Sequence, residues 1–393
     1  MASGKRPQTT IVHAGSHPEQ HMGAMNTPVY RASTIAFPSV EAIQDGIKNK
    51  FDSVFYGRHG TPSTFSLEEA MAAVEGGHRS VAVPSGLAAI VVSLLTYLKS
   101  GDHLLMVDSV YEPTRSFCAR LESHYGIETT FYDPLIGAGI KDLIQPNTKV
   151  VFTESPGSLT FEVQDLPTIS AAAHEQGVKV LLDNTWSGGH FFKPFEHGVD
   201  VSIQAATKYI VGHADVMMGL ITTASQEDWL EIKTANAAMG YSVGSDDCYL
   251  ALRGLRTLDV RLQRHQETGL ALANYLQDRP EVAKVLHPAL PDCPGHEIWQ
   301  RDFTGSSGLF GVILNDVPQD RVVAMLNGME LFTMGFSWGG FESLMIQTTP
   351  ARARTATTWE AAGPTLRLHV GQEDVDDLIA DLDNGFKRLN GEA

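Results

Sequence analysis

Lys208 closes the segment Ala205-Ala206-Thr207-Lys208, just past the extended run Val199–Gln204, and Gly212-His213 follows shortly after. Asp183 closes a second apolar run, Val180-Leu181-Leu182, and leads into Asn184-Thr185-Trp186. An amine and a carboxylate at the ends of neighbouring strands suit a particular chemistry. The amine condenses with an aldehyde as a Schiff base, and the carboxylate keeps a pyridine nitrogen protonated so that the ring accepts carbanion electrons. Pyridoxal 5'-phosphate offers both groups, and these two residues point to it as the cofactor.

A phosphate needs its own seat. Pro84-Ser85-Gly86-Leu87 lies between a strand-like run and a helical one. Gly86 admits close approach, and the first amides of the helix point outward as an anion site. The plainer alternative is that Ser85 is only an N-cap. No GxGxxG or Walker lysine motif accompanies it, so a nucleotide is not the expected ligand. Arg58, two residues after Tyr56 in an irregular region, suits a phosphate clamp, with the Tyr56 hydroxyl as a donor. A solvated arginine is the competing reading. Tyr111 opens a helix after the strand-like run His103–Val107 and is placed to stack on a planar ring, or to be an ordinary buried aromatic. Arg367 sits in the apolar run Thr365–Val370 and needs an anionic partner. A substrate carboxylate or a structural salt bridge would serve equally. His13, His17 and His21 cluster near the start, but surface histidines are expected there and no metal.

One pattern belongs to another enzyme class. Gly335-Phe336-Ser337-Trp338-Gly339 matches G-x-S-x-G, and a triad of Ser337, Glu360 and His369 can be drawn. A nucleophile elbow opens a helix. Here another strand-like run follows, so a strand–turn–strand with Ser337 and Trp338 facing a pocket is the preferred expectation, and a serine hydrolase the rival.

The elements that position these residues alternate. Strands are expected at Ser80–Val83, His103–Val107, Lys149–Thr153, Lys179–Leu182, Val199–Gln204 and Gly219–Thr223. Helices lie between them at Leu87–Leu98, Glu112–His124 and Leu166–Gln176. That order makes a mostly parallel sheet covered on both faces. Residues 1 to about 60 read as an extended arm without a core of its own. Helical segments follow at Gln226–Met239 and Asp246–Asp278. A smaller α/β unit then has strands at Leu309–Leu314, Leu331–Phe336, Ser343–Ile346 and Thr365–Val370, and a last helix at Asp374–Leu389.

The 393 residues suffice for two or three units, and 29 Lys+Arg against 46 Asp+Glu give a net charge of -17. That surface argues against nucleic acid and anionic membrane as partners. Three scattered cysteines without CxxC argue against a disulfide framework or zinc ribbon. Met1–Thr10 lacks an apolar stretch after its charges, so no signal peptide is expected. Gly86–Leu98 is too short to span a bilayer, and a cytoplasmic protein is the expectation.

Tyr56-x-Arg58, Ser85-Gly86-Leu87, Tyr111-Glu112-Pro113-Thr114, Asp183-Asn184-Thr185-Trp186, Ala206-Thr207-Lys208-Tyr209 and Gly305–Phe310 together resemble the Cys/Met-metabolism family of pyridoxal-phosphate enzymes. Ser337-Trp338-Gly339-Gly340 is most similar to the bacterial-type cystathionine β-lyase branch, since many γ-acting relatives have Leu in place of Trp. The resemblance runs over almost the whole chain. It implies fold type I, with a pyridoxal-phosphate domain at 61–254, a C-terminal α/β domain at 255–393, and a 1–60 arm serving the neighbouring subunit's site in a homotetramer built as a dimer of dimers. It implies that Lys208 carries the cofactor and moves protons, Asp183 pairs with the ring nitrogen, and Tyr111 stacks on the ring. Ser85, Gly86, Leu87 and Thr207 would hold the phosphate, joined by Tyr56 and Arg58 from the next subunit. Arg367 would hold the substrate carboxylate, with Ser337, Trp338 and Tyr56 shaping the pocket. The implied reaction is β-elimination of L-cystathionine in methionine biosynthesis. A γ-lyase, a γ-synthase or a broader cysteine-S-conjugate lyase is the alternative within the family.

Overall fold

Short runs rich in Val, Leu and Ile, separated by helix-length segments, build the first sheet of the computed structural model, which describes residues 5–392. Its strands are β1 (Arg79–Val83), β2 (His103–Val107), β3 (Glu128–Tyr132), β4 (Thr148–Glu154), β5 (Lys179–Asp183), β6 (Val201–Gln204) and β7 (Gly219–Thr223). Across the sheet they run β1-β7-β6-β5-β4-β2-β3. β2 to β6 are parallel, and β7 is antiparallel to both β1 and β6. β2, β6 and β7 are buried along their whole length, as a sheet with helices on both faces requires. Parallel strands present their carboxyl ends at one edge, where open α/β sheets hold ligands.

Two helices matter most for that edge. Pro62–Glu75 starts with proline behind a Thr61/Thr64 capping box and stops at left-handed Gly76, which delivers Glu75 beneath the sheet. Gly86–Tyr97 starts at Ser85, whose side chain accepts from the Ala88 amide. The helix Leu258–Gln277 then leads into a second sheet of β8 (Val282–Leu286), β9 (Leu309–Leu314), β10 (Leu344–Thr348) and β11 (Thr365–His369). Its order is β10-β11-β9-β8, with antiparallel pairing throughout. Leu272, Phe310, Met325, Leu368, Leu382 and Phe386 fill the core between this sheet and its helices.

Several expectations need correction. Leu331–Phe336 is not a strand; Thr333 alone forms a bridge, to Leu344. The amides of Glu330, Leu331 and Phe332 donate instead to the Asp381 carboxylate, so the ladder loses its donors. Asp246–Asp278 is two helices, Ser245–Leu255 and Leu258–Gln277. The break is held by Arg261, whose guanidinium takes the Gly254 carbonyl at 2.7 Å. The 1–60 arm is not extended throughout: it contains the helices Pro7–His13 and Val40–Lys48, and Ile11 is buried against Leu67 and Met71. β3 and β8 went unread, β3 because Glu128, Thr129 and Thr130 look polar in sequence. Met1–Gly4, part of the segment read for a leader, lie outside the described residues. Among those described, no helix is long and apolar enough to cross a membrane.

Trp229 ties the helix Gln226–Ala238 to the sheet edge. Its ring is buried, its indole donates to the Ser80 carbonyl at 3.3 Å, and the Arg79 guanidinium lies 3.4 Å above it. Replacing Trp229 by Ala is expected to cost about 3–5 kcal/mol, read as a lower denaturation midpoint in urea. An unchanged midpoint would contradict this packing.

Candidate active site

β5 and β6 lie side by side with Asp183 opposite Ile203. The chain leaves β6 after Gln204 and turns at once, the Lys208 amide donating to the Ala205 carbonyl and the Gly212 amide to the Lys208 carbonyl. Lys208 therefore sits over the strand ends. Its Nζ donates to Ser337 Oγ at 2.7 Å and lies 5.2 Å from the Trp338 ring. Ser337 comes from the second sheet's region and has φ 88, a left-handed conformation that costs about 1–3 kcal/mol for a residue with a Cβ. The turn presses on the lysine: a Cβ on Gly339 would stand 2.8 Å from the Lys208 carbonyl carbon.

Arg367 on β11 donates to the Ser337 carbonyl at 2.9 Å, and its Nε is buried without a partner. Burial, and after it the charge of Arg367, push the Lys208 amine down to about 8, with Asp183 pulling the other way. Burial also holds Arg367 near 10.

Asp183 Oδ1 accepts from the Thr185 amide at 3.1 Å and hydroxyl at 2.6 Å. Among the described residues no hydrogen bond reaches Oδ2. Burial raises the Asp183 carboxyl above the ordinary range, against the Thr185 bonds and Lys208. Next along the sheet, Glu154 is opposite Asp183 and accepts from the Tyr111 amide at 2.8 Å. Burial and the Asp183 charge push Glu154 well above the carboxylate range. Tyr111 caps the helix Glu112–Arg120, and its side chain is half-exposed. Glu154 carries no expectation from the sequence, and Thr185 appears there only within a motif, with no role of its own. Glu154 stands one residue past the expected end of its strand, a strand-end acid like Asp183, which was the available signal.

Gly86 packs on the start of the lysine turn, where a Cβ would meet Ala205 Cβ at 2.6 Å. The first-turn amides of Gly86–Tyr97 have no partner within the helix and face outward. Ser85 Oγ serves as the cap of that helix at Ala88, and Leu87 is exposed. Thr207 Oγ1 is already engaged: it donates to the Met218 carbonyl at 3.2 Å and accepts from the Met218 amide at 2.9 Å. Tyr56 and Arg58 are not brought into this cluster within one chain. Arg58 donates to the Ala237 carbonyl at 2.7 Å, and Tyr56 is exposed.

The hydrolase triad does not form. Ser337 opens no helix and takes the lysine proton donor. His369 Nε2 meets the Gly339 amide and the Gly340 carbonyl instead of the serine, and Glu360 is exposed.

The family described as "Cys/Met metabolism PLP-dependent enzyme" matches residues 8–387, and the chain belongs to it. The chain is similar to the "Cystathionine beta-lyase MetC" of Escherichia coli (strain K12), 46% identical over 98% of this chain and 99% of that one. It is also similar to the "Cystathionine beta-lyase" of Salmonella typhimurium (strain LT2), 44% identical with 98% and 99% covered. The solved structure of metB from Corynebacterium glutamicum has a TM-score of 0.91 at 29% identity, covering 99% of this chain and 100% of that one. The fold is therefore that of fold-type I, and pyridoxal 5'-phosphate is the cofactor. The residues present fit it. A buried carboxyl with a free oxygen at Asp183 suits a protonated ring nitrogen, and a depressed amine at Lys208 suits an aldehyde.

The site predicts a titration. In cofactor-free protein, the reaction of Lys208 with an amine reagent should rise with pH around a midpoint near 8, since only the neutral amine attacks. Arg367→Leu removes a repelling cation and should move that midpoint up; Asp183→Asn removes an attracting charge and should move it down. Peptide mapping of the labelled lysine against pH measures both shifts, and movement in the opposite senses would overturn this account.

Proposed function

We propose that the enzyme is a carbon–sulfur lyase that cleaves the Cβ–S bond of L-cystathionine, yielding homocysteine, pyruvate and ammonia. The observation that carries this reading is the buried Lys208 amine, held between Ser337 and Arg367 beside Asp183. Arg367, with its unpartnered Nε, binds the α-carboxylate of the amino-acid substrate. Lys208, whose amine burial and Arg367 shift toward its neutral form, takes the proton from Cα when neutral. Ser337 Oγ orients the amine for that transfer, and Trp338 closes the space beside it. Asp183, whose Oδ1 is taken by Thr185, would pair with the protonated ring nitrogen. When bound, the cofactor supplies the electron sink for the carbanion at Cα. Tyr111 would stack on the cofactor ring, and the amides of Gly86 and Leu87 would hold its phosphate.

β-Elimination needs only a leaving group on Cβ, whereas γ-elimination needs a second deprotonation at Cβ. Trp338 favours the former by limiting how the thioether chain lies, and the names of the bacterial relatives support the same outcome. With L-cystathionine the expected products are pyruvate and homocysteine. 2-Oxobutyrate with cysteine would overturn the reading in favour of a γ-lyase. The protein with bound cofactor should absorb visible light, and Lys208→Ala should lower turnover by about 10²–10⁴-fold. A colourless wild type that keeps its activity after cofactor removal would sink the assignment.

In the same reading the protein is a cytoplasmic enzyme of methionine biosynthesis and a homotetramer, a dimer of dimers with shared sites. Tyr56 and Arg58 complete the phosphate seat of the partner. Exposed Val40, Ile43 and Ile47 on one helix of the arm support such an assembly, as does Arg58, which among the described residues has a carbonyl but no anion as partner. Mixing inactive Arg58→Ala with inactive Lys208→Ala subunits should restore activity, because one site of each heterodimer carries neither change. No recovery after demonstrated subunit exchange would place every group in one chain.

A further inference from the structure

Beneath the strand ends that carry Asp183 and Lys208 lies a polar cluster that the reaction scheme does not use. Glu75 ends the helix Pro62–Glu75 and is completely buried. Its Oε1 accepts three side-chain hydrogen bonds: from Ser202 Oγ at 2.7 Å, Gln204 Nε2 at 2.8 Å and Asn184 Nδ2 at 3.1 Å. Asn184 directly follows Asp183 on β5. Ser202 and Gln204 belong to β6, and Gln204 is the last residue before the lysine turn. Gln204 Nε2 also donates to the Asn184 carbonyl at 3.0 Å. One oxygen thus ties the end of β5 to the end of β6.

The register of β5 with β6 covers only Leu181 to Asp183, and the chain on each strand turns away just beyond. Past that register these ends share two further direct bonds, the Asn184 amide to the Ile203 carbonyl at 2.9 Å and the Ala205 amide to Thr185 Oγ1 at 2.9 Å, and the Glu75 carboxylate links them from below. The other Glu75 oxygen, Oε2, is buried with no partner, a costly arrangement for a group of no use. Lys193 lies nearby, donating to the Val74 and Gly189 carbonyls, and Asp183 lies on the sheet edge above. Burial pushes Lys193 down to about 8, with Glu75 opposing.

We infer that Glu75 is a positioning residue for the reaction: through Asn184 and Gln204 it fixes the distance between the Asp183 carboxyl and the Lys208 amine. This rests on the assignment of those two groups given under the proposed function. Glu75 touches neither substrate nor cofactor. Its effect passes through two amide side chains, so the number and direction of its hydrogen bonds matter more than its charge.

The experiment uses the cofactor-loaded enzyme and three variants, with two readouts. One is kcat and KM on L-cystathionine; the other is the pH midpoint of the visible band of the bound cofactor. Glu75→Ala removes all three bonds. It should lower kcat about ten- to a hundredfold and move the midpoint by more than about half a unit. In Glu75→Gln the amide oxygen still accepts the three bonds, and kcat should return to within about threefold of wild type. Wild-type kcat and midpoint in Glu75→Ala would overturn the inference, and so would equal loss in the Gln and Ala variants. If Glu75→Ala does not melt cooperatively, Gln204→Leu decides: it cuts the same link from the other side, and an unmoved midpoint there overturns the proposal. A wild type with no visible band on adding cofactor would remove the site assignment and this inference together. A wild type with the band and indifferent variants removes this inference alone.

Discussion

Parallel pairing of β4, β5 and β6 puts Glu154, Asp183 and the lysine turn at one edge of one sheet, and everything else in the site is arranged around that crowding. Each ionisable group there is displaced from its ordinary range, with burial as the first cause: Glu154 and Asp183 upward, Lys208 and Arg367 downward. The directions are those of groups shifted toward their neutral forms in a poorly solvated cleft. Such an edge is unfavourable in isolation and becomes useful only when a ligand brings a pyridinium, a phosphate and an aldehyde to it. Two carboxyls side by side also divide roles. Glu154 is spent on the Tyr111 backbone, which leaves Asp183, with one oxygen free, as the group able to meet a cation.

The second sheet supplies the opposite wall through one strand. Arg367 and His369 stand two apart on β11 and so face the same side. Arg367 holds the Ser337 carbonyl, and His369 accepts from the Gly339 amide. Together they grip the turn that puts Ser337 Oγ against Lys208. The grip explains how a left-handed serine persists, since neighbouring bonds over-determine its backbone. Burial holds His369 well below the ordinary histidine range, with His265 beside it contributing in the same direction. A neutral acceptor at this point keeps the turn fixed without adding a second cation beside Lys208.

Lys208, Asp183 and Arg367 stand out in the sequence as candidates because polar residues inside or just after apolar runs have few explanations, and the structure brings all three to one cleft. Six of the seven first-sheet strands follow from the same alternation, and β3 does not. What failed was local chemistry with distant partners. Leu331–Phe336 has strand-like composition, but Asp381, some fifty residues away in sequence, claims its amides. Thr207 carries a hydroxyl in the right place, yet Met218 occupies it. Glu75 gives no signal at all in a linear reading, for it looks like the acidic end of an ordinary helix. Arg58 and Tyr56 lie beyond what one chain can display, since their expected partner is another copy.

The two sheets are joined across the cleft by polar bonds as well as by apolar packing, and this bears on how Arg367 is kept in place. Asp108, just past the end of β2, is completely buried and accepts from the amides of Thr355, Ala356 and Thr357 and from Arg115. Burial opposes its charge, but the bonds from Thr355, Thr357 and Arg115 hold it below the ordinary carboxylate range. Immediately before Thr355 in the same loop, Arg354 pairs with buried Glu162 at 2.6 Å. The strapped loop connects β10 to β11, so fixing it to the first sheet fixes the strand that carries Arg367. Apolar surfaces slide at low cost, whereas a buried carboxylate with several charge-assisted bonds has one arrangement that satisfies it and loses about 3–5 kcal/mol when a charged partner is removed. Arg367 is therefore registered against Asp183 and Lys208 by directional bonds, the kind of constraint that the proposed role as a carboxylate anchor beside an aligned Cα proton would require.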